Sequence, residues 1–325
     1  MEKPLILKHG IFIYKRTKQF LGHTYNTFTD NKPKVVILAY HRIVNSPEFD
    51  PLNNIITLST FLRQIDKIAM RYPFVSLTEL IKQGNAGQAK AGVKIILTFD
   101  DGYRENYEVI FPILRKKGLP ATFFLSTDYI ETGLLFWDWQ LLNLLHKDNS
   151  IKSISMDGQI IQKKPFESRL AFAVRILKRM KAFTPKKRQE IIDSLKAKTE
   201  PSICYLKERC ISWQEAKEMG AKGMEIGSHG ISHRSLARMP SGEAVEEIKK
   251  SKEIIEQKIS RPCHYFAFPF GSKYDYSQEL IDCVKGAGYK ACLLNIHGYN
   301  HLEKDNFCFK RIIMEETTNT AFLLG

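Results

Sequence analysis

No stretch of this 325-residue chain reaches the ~18 consecutive apolar residues that a membrane-spanning helix requires. Cysteine is sparse: six residues, at 204, 210, 263, 283, 292 and 308, with no C-x-x-C spacing. That scatter argues against a disulfide framework, and the six read as reduced thiols. Cys263, Cys283, Cys292 and Cys308 fall in or beside apolar runs and read as core packing. Internal repeats and low-complexity tracts are also missing. At the N-terminus the apolar pieces Leu5–Leu7 and Ile11–Tyr14 are broken by Lys8, His9 and Gly10, and no small-residue cleavage site follows. No secretory signal is read, and cytoplasm is the expected compartment.

Acidic side chains are in deficit, 35 against 49 Lys and Arg, for a net charge of +14. Much of the excess lies between Lys147 and Glu200, which carries 14 basic and 6 acidic residues. Such a face is either a solvated helix surface or an attractor of anionic lipid or an acidic glycan. Nucleic acid is not expected, because the basic residues are not interleaved with an aromatic stacking platform.

The remaining composition is that of a globular protein, 43% hydrophobic and 26% charged with mean hydropathy −0.27. Short β-branched and aromatic runs at 34–40, 93–99, 121–126, 224–228, 263–268, 289–294 and 307–313 alternate with helical patterns. Their near-continuous apolar character predicts strands buried on both faces. Helices are predicted over 59–72, 105–117, 212–219, 241–258 and 277–285, with Ser212 and Glu215 as a capping box. The alternation implies a parallel α/β sheet with right-handed crossovers, open or closed into a barrel. From about Gly133 to Pro201 the rhythm breaks. Phe166, Leu170, Ala173, Ile176, Leu177 and Met180 recur at helical spacing, and Thr184-Pro185 starts a second helix. This predicts a basic helical insertion at 133–201. It interrupts a barrel of residues 34–132 and 202–325 that follows a basic extension, 1–33.

Two motifs carry chemistry. Asp100-Asp101-Gly102 follows the apolar run ending at Phe99. Adjacent carboxylates repel unless a cation or proton lies between them, although Asp is also a common helix cap and Gly a common turn residue. His229 and His233 follow the run Met224–Ser228, and their spacing of four places two imidazoles on one side of a helical turn. Together the four residues offer three metal ligands and one spare base, the inventory for metal-assisted hydrolysis of an amide or ester.

As spelled, Thr98–Gly102 (T-F-D-D-G), His229/His233 (H-G-x-x-H, with Gly230 in place of a small hydroxyl residue) and Phe268-Pro269-Phe270-Gly271 resemble the three motifs of the polysaccharide deacetylase family, the NodB-homology domain of carbohydrate esterase family four. The resemblance spans about residues 34–315. It implies a distorted (β/α)7 barrel in which Asp101, His229 and His233 hold a divalent metal, commonly zinc. Asp100 would be the general base, and a backbone N–H near Phe270 would stabilise the oxyanion. The implied reaction is hydrolysis of an N-acetyl or O-acetyl group on a sugar. Tyr103 is expected to line the pocket.

Relatives commonly carry an Arg where this chain has Ala267, and Arg311 is the expected substitute. The acid is either His41, in a Tyr40-His41 pair resembling that of the poly-N-acetylglucosamine deacetylase branch, or His297. Expected partners are an N-acetylated glycan or, as the rival, a polyprenyl-linked sugar deformylated or deacetylated at the cytoplasmic membrane face, with peripheral contact to anionic lipid. A catalytically silent glycan-binding barrel is the alternative of another class. Trp137-Asp138-Trp139 would either stack on a sugar ring or anchor the insertion.

Overall fold

The computed structural model describes residues 34–46, 50, 52–86, 92–199, 210–303 and 305–320. The extension 1–33 and Cys204 lie outside them. Among the described residues no helix is long and apolar enough to cross a membrane.

Seven of the strands are β1 (Lys34–Tyr40), β2 (Val93–Phe99), β3 (Ala121–Leu125), β4 (Glu225–Ser228), β5 (Tyr265–Ala267), β6 (Ala291–Leu294) and β7 (Cys308–Lys310). Each pairs in parallel with the next, from Lys34↔Val93 at one end to Cys292↔Cys308 at the other. One residue beyond β7, the pair β8 (Ile312–Ile313) lies parallel to β1, with Leu38 opposite Ile312. A single C-terminal segment therefore touches both ends of the sheet and brings it round into the expected distorted (β/α)7 barrel. The predicted strand at 307–313 is broken at Arg311, where the chain changes partner from β6 to β1. β1 and β2 match their apolar runs, while β3 to β6 are one to three residues shorter, because the flanking residues pack without completing a ladder.

The helices include α1 (Leu58–Ala69), α2 (Leu77–Asn85) and α3 (Phe111–Lys117). Val35, Ile37, Ile96, Phe124, Ala267, Leu293 and Phe309 form one buried cluster with Leu77, Leu80 and Ile81 of α2. These side chains fill the barrel interior, and α2 plugs its amino end. Residues alternating with them, such as Val36, Leu38, Ile95, Leu97 and Phe123, pack outward against α1 and α3. That alternation explains strands buried on both faces. The predicted helix 105–117 instead begins with a wide π-type turn over Asn106–Ile110. Pro112 gives no N–H to the preceding turn, and the wider winding accommodates the missing donor.

The insertion contains α4 (Trp137–Lys147), a hairpin of Ser153–Met156 with Gln159–Gln162, α5 (Arg169–Met180) and α6 (Pro185–Lys196). The sequence pattern missed α4 and the hairpin. Phe166 is also corrected: it precedes α5, has φ 60° and is fully exposed, so it is not part of the apolar stripe. Leu141, Leu145, Phe172, Ile176, Met180 and Ile192 form a core of their own, against which Leu52 and Phe270 of the barrel also pack. Downstream come α7 (Trp213–Ala221), α8 (Ser241–Ile259) and α9 (Gln278–Gly286). The Ser212–Glu215 capping box at α7 is formed by both reciprocal hydrogen bonds, at 2.7 and 3.2 Å. At α8 the cap is Pro240, with Ser241 the first helical residue.

Candidate metal centre and catalytic site

Every residue singled out for chemistry, apart from His297, lies at the carboxyl mouth of the barrel, where strand ends deliver side chains. β1 leads into His41, β2 into Asp100 and Asp101, β4 into His229, and the β7–β8 break carries Arg311. The Asp100 N–H donates to the Tyr40 carbonyl at 2.9 Å, joining the ends of β1 and β2.

One ligand atom from each of Asp101, His229 and His233 lies within 4.8 Å of the others, and all three residues are buried. Asp101 Oδ1 is 3.6 Å from His229 Nε2 and 3.4 Å from His233 Nε2, and no hydrogen bond satisfies it. His229 Nδ1 lies 2.7 Å from the Ala267 carbonyl. A carbonyl only accepts, so the proton sits on Nδ1 and the Nε2 lone pair faces Asp101. An orphaned buried carboxylate oxygen and an imidazole lone pair aimed at one point fit a divalent cation.

The expected helical turn between the histidines is not there. β4 stops at Ser228, and Gly230 and His233 both have left-handed backbones, at φ 77° and 48°. The imidazoles converge because an irregular loop doubles back. Asp101 (φ 77°) and Phe270 (φ 60°) are also left-handed. Gly230 adopts its conformation freely, whereas in Asp101, His233 and Phe270 such backbones cost about 1–3 kcal/mol each and persist where surrounding contacts hold them.

Arg311 meets Asp100 in a two-pronged fork, Nη1 to Oδ1 and Nη2 to Oδ2, each 2.7 Å. Both side chains are fully buried. The guanidinium lies over Phe124 inside the barrel and also reaches Thr98 Oγ1 at 3.3 Å. Arg311 thus brings to Asp100 a guanidinium that Ala267 cannot offer. Burial raises the Asp100 pKa, but Arg311, His229 and His41 outweigh it and hold the carboxyl well below the usual range. Asp101 goes the other way: burial, then the charges of Asp100 and Asp138, push it well above. The neighbours are poised oppositely, one ionised and one short of positive charge.

His41 Nε2 is 3.8 Å from Asp100 Oδ2, whereas His297 is exposed in the loop after β6. Tyr103 is buried beside Asp101 and lowers its pKa. The Phe270 ring stands 4.8 Å from that of His233, and its carbonyl accepts from Asn295 Nδ2 at 3.2 Å. Trp137 and Trp139 are both buried. Trp137 Nε1 donates to the His233 carbonyl at 3.1 Å, and the Arg188 guanidinium covers its ring at 4.1 Å. The pair anchors the insertion to the site. Of the two readings of the Trp-Asp-Trp cluster, anchoring the insertion is the one these contacts fit, though its partner, the His233 carbonyl, is not legible in the pattern.

Burial lowers the pKa of His41 from 6.5 to about 4, and also lowers those of His229 and His233. The unfolded chain therefore binds protons below pH 6.5 that the folded site refuses, so folding stability is present above that pH and lost as pH falls towards about 4. Asp101, raised, opposes the loss as a single group. Urea denaturation of the metal-free protein is expected to show a falling midpoint across this window. A midpoint unchanged to the low end would contradict the three neutral imidazoles.

A parallel α/β barrel with Asp101, His229 and His233 gathered at its carboxyl mouth defines the class. The family model described as polysaccharide deacetylase matches residues 87–188 and 179–292. The chain belongs to the polysaccharide deacetylase family. Among solved structures it is similar to a Streptococcus pyogenes deacetylase, PplD, in complex with acetate, with TM-score 0.60 and 19% identity over 90% of this chain and 97% of that one. It is also similar to IcaB from Ammonifex degensii, with TM-score 0.58 and 17% identity over 89% and 94% of the two chains. These likenesses establish the fold. A curated relative, the poly-β-1,6-N-acetyl-D-glucosamine N-deacetylase of Staphylococcus epidermidis, is 29% identical over 131 residues, 36% of this chain and 43% of that protein. The chain matches less than half the length of the curated relatives.

Proposed function

We propose that the protein removes an N-acetyl (or O-acetyl) group from a sugar or polysaccharide by metal-assisted hydrolysis. The observation that carries this reading is the convergence of Asp101, His229 and His233 beside an Asp100 clamped by Arg311. Asp101, His229 and His233 would hold a divalent cation, zinc being the expected one, which when bound supplies Lewis acidity towards an acyl oxygen and lowers the pKa of water.

The chain's own residues then move the protons. Asp100, kept ionised, accepts a proton from the attacking water. Its low proton affinity means that proton does not stay. His41, neutral and 3.8 Å from Asp100 Oδ2, is the base next in reach. It holds the proton for the departing amine nitrogen, so water's hydroxyl ends on the acyl carbon and its proton on the amine. The Phe270 backbone N–H is assigned to the oxyanion, and Tyr103 steadies Asp101. A silent binding barrel would have no use for a buried Arg–Asp fork behind the spare carboxylate.

The glycan reading is tested by incubating zinc-loaded protein with N-acetylglucosamine oligomers and, separately, with a polyprenyl-phosphate-linked sugar, following acetate or formate. The basic segment Lys147–Glu200 favours trying the second substrate, whose phosphate would lie at an anionic membrane face. Release that stops with chelator and returns with zinc supports hydrolysis; no release from either substrate overturns it. His41→Ala is expected to lower turnover by about 10²–10⁴-fold, with His297→Ala near wild type. The reverse order would move the acid role to His297.

A further inference from the structure

The loop 229–233 has no regular secondary structure, yet it must aim two imidazoles at one point. β3 and the turn after it hold one side of the loop: the His229 N–H donates to the Leu125 carbonyl at 2.8 Å, and the Thr127 and Asp128 N–H groups donate to the Gly230 and Ile231 carbonyls at 3.1 Å. The loop's own Ile231 and Ser232 amides are held from another element. Glu247, buried in the first half of α8, takes the Ile231 N–H at 2.6 Å and the Ser232 N–H at 3.1 Å on Oε2. Its other oxygen, Oε1, accepts the Ser232 hydroxyl. One carboxylate therefore accepts three hydrogen bonds from two successive residues lying between His229 and His233.

The same contact explains why residue 230 is glycine. A Cβ there would stand 3.2 Å from Glu247 Oε2, on a backbone with φ 77°. The carboxylate presses against the place where a side chain of residue 230 would begin.

We propose that Glu247 is a positioning residue for the histidine pair, a buried carboxylate that shapes the loop so that His229 and His233 present Nε2 to a shared ion. The inference rests on the metal-site reading above. Glu247 touches no reacting atom and acts through the backbone. Both of its oxygens accept from the loop, and a carboxylate's bonds to amides are stronger than a neutral acceptor's. Loss of an outer partner of this kind typically costs about 10- to 100-fold in metal affinity.

The test uses the full chain and zinc alone, competed against a chromophoric chelator, together with hydrogen exchange of the metal-free protein. Glu247→Ala is expected to weaken zinc binding by about 10- to 100-fold and to speed exchange at the Ile231 and Ser232 amides. Glu247→Gln, which keeps one carbonyl acceptor, is expected to recover most of both. Glu246→Ala, exposed on the same helix and paired with Lys250, is expected to leave both unchanged. Should Glu247→Ala not fold, Gly230→Ala probes the same contact from the other side and is expected to weaken zinc binding likewise. Wild-type zinc affinity in Glu247→Ala, or unchanged exchange at residues 231 and 232, overturns the proposal. If wild-type protein itself takes up no zinc, the metal reading fails, while the exchange comparison still decides whether Glu247 holds the loop.

Discussion

Asp100→Asn is expected to lower turnover by about 10³–10⁴-fold, at the upper end of the range for a lost general base, with the ion still bound. The substitution is nearly isosteric, and the ligand triad of Asp101, His229 and His233 is left whole. What changes is charge and proton capacity. An amide oxygen does not take a proton at neutral pH, and its NH₂ group turned towards Arg311 would set donor against donor. Removing the Asp100 charge also removes one source of the upward push on Asp101, so metal affinity should hold steady or change little. Stoichiometric zinc by metal analysis together with lost acetate release would fit the assignment. Turnover within tenfold of wild type would remove Asp100 as the base.

Arg311→Ala is expected to cost both stability and turnover. The fork to Asp100 joins two fully buried charges through two 2.7 Å bonds. Deleting one partner of a buried pair strands the other, at a cost of about 3–5 kcal/mol. The segment around Arg311 is also where β7 and β8 exchange partners to close the barrel. Loss of the side chain therefore opens a void above Phe124 at that closure. Chemical denaturation would measure the first effect and acetate release the second. Arg311→Lys keeps the charge but cannot reproduce the fork, so it should restore part of the stability and little of the turnover. A variant with unchanged melting and unchanged turnover would make the pair ornamental.

The two effects separate chemistry from architecture. Asp100→Asn alters a proton acceptor inside an intact frame, whereas Arg311→Ala removes the counter-charge that lets an ionised carboxylate exist in a dry barrel. His41 belongs with the first group, since its neutral state follows from burial and its Nε2 stands 3.8 Å from the Asp100 carboxylate rather than clamping it.

How far the sequence could be read depended on how local each feature was. Asp100-Asp101-Gly102 and His229/His233 were legible because a strand end followed by a short polar turn is written in consecutive residues. The capping box at Ser212 was legible for the same reason. The hairpin at 153–162 was not, since its strands carry only Ile154, Met156 and Ile161 as buried positions, too few for a period. Phe166 was misassigned because spacing alone cannot tell a stripe residue from one a turn ahead of the helix.

Arg311 is the expected stand-in for the missing arginine, but Asp100, its partner, lies 211 residues away and no pattern in the chain links them. Glu247 looked like any acidic residue on a long amphipathic helix. Trp137 read more as an anchor of the insertion than as a sugar platform, but nothing in the pattern identified the His233 carbonyl as its partner.

By itself the sequence determined the alternation of helices with strands buried on both faces and the two motifs that carry Asp100, Asp101, His229 and His233, because periodicity and short motifs act over a few residues. The barrel was implied only by the resemblance of those motifs to a family's. Only the tertiary structure decided which cation clamps Asp100, what shapes the histidine loop and how the insertion meets the site. Those contacts are made by side chains far apart in the chain, and they exist only once the sheet has closed and excluded water from between them.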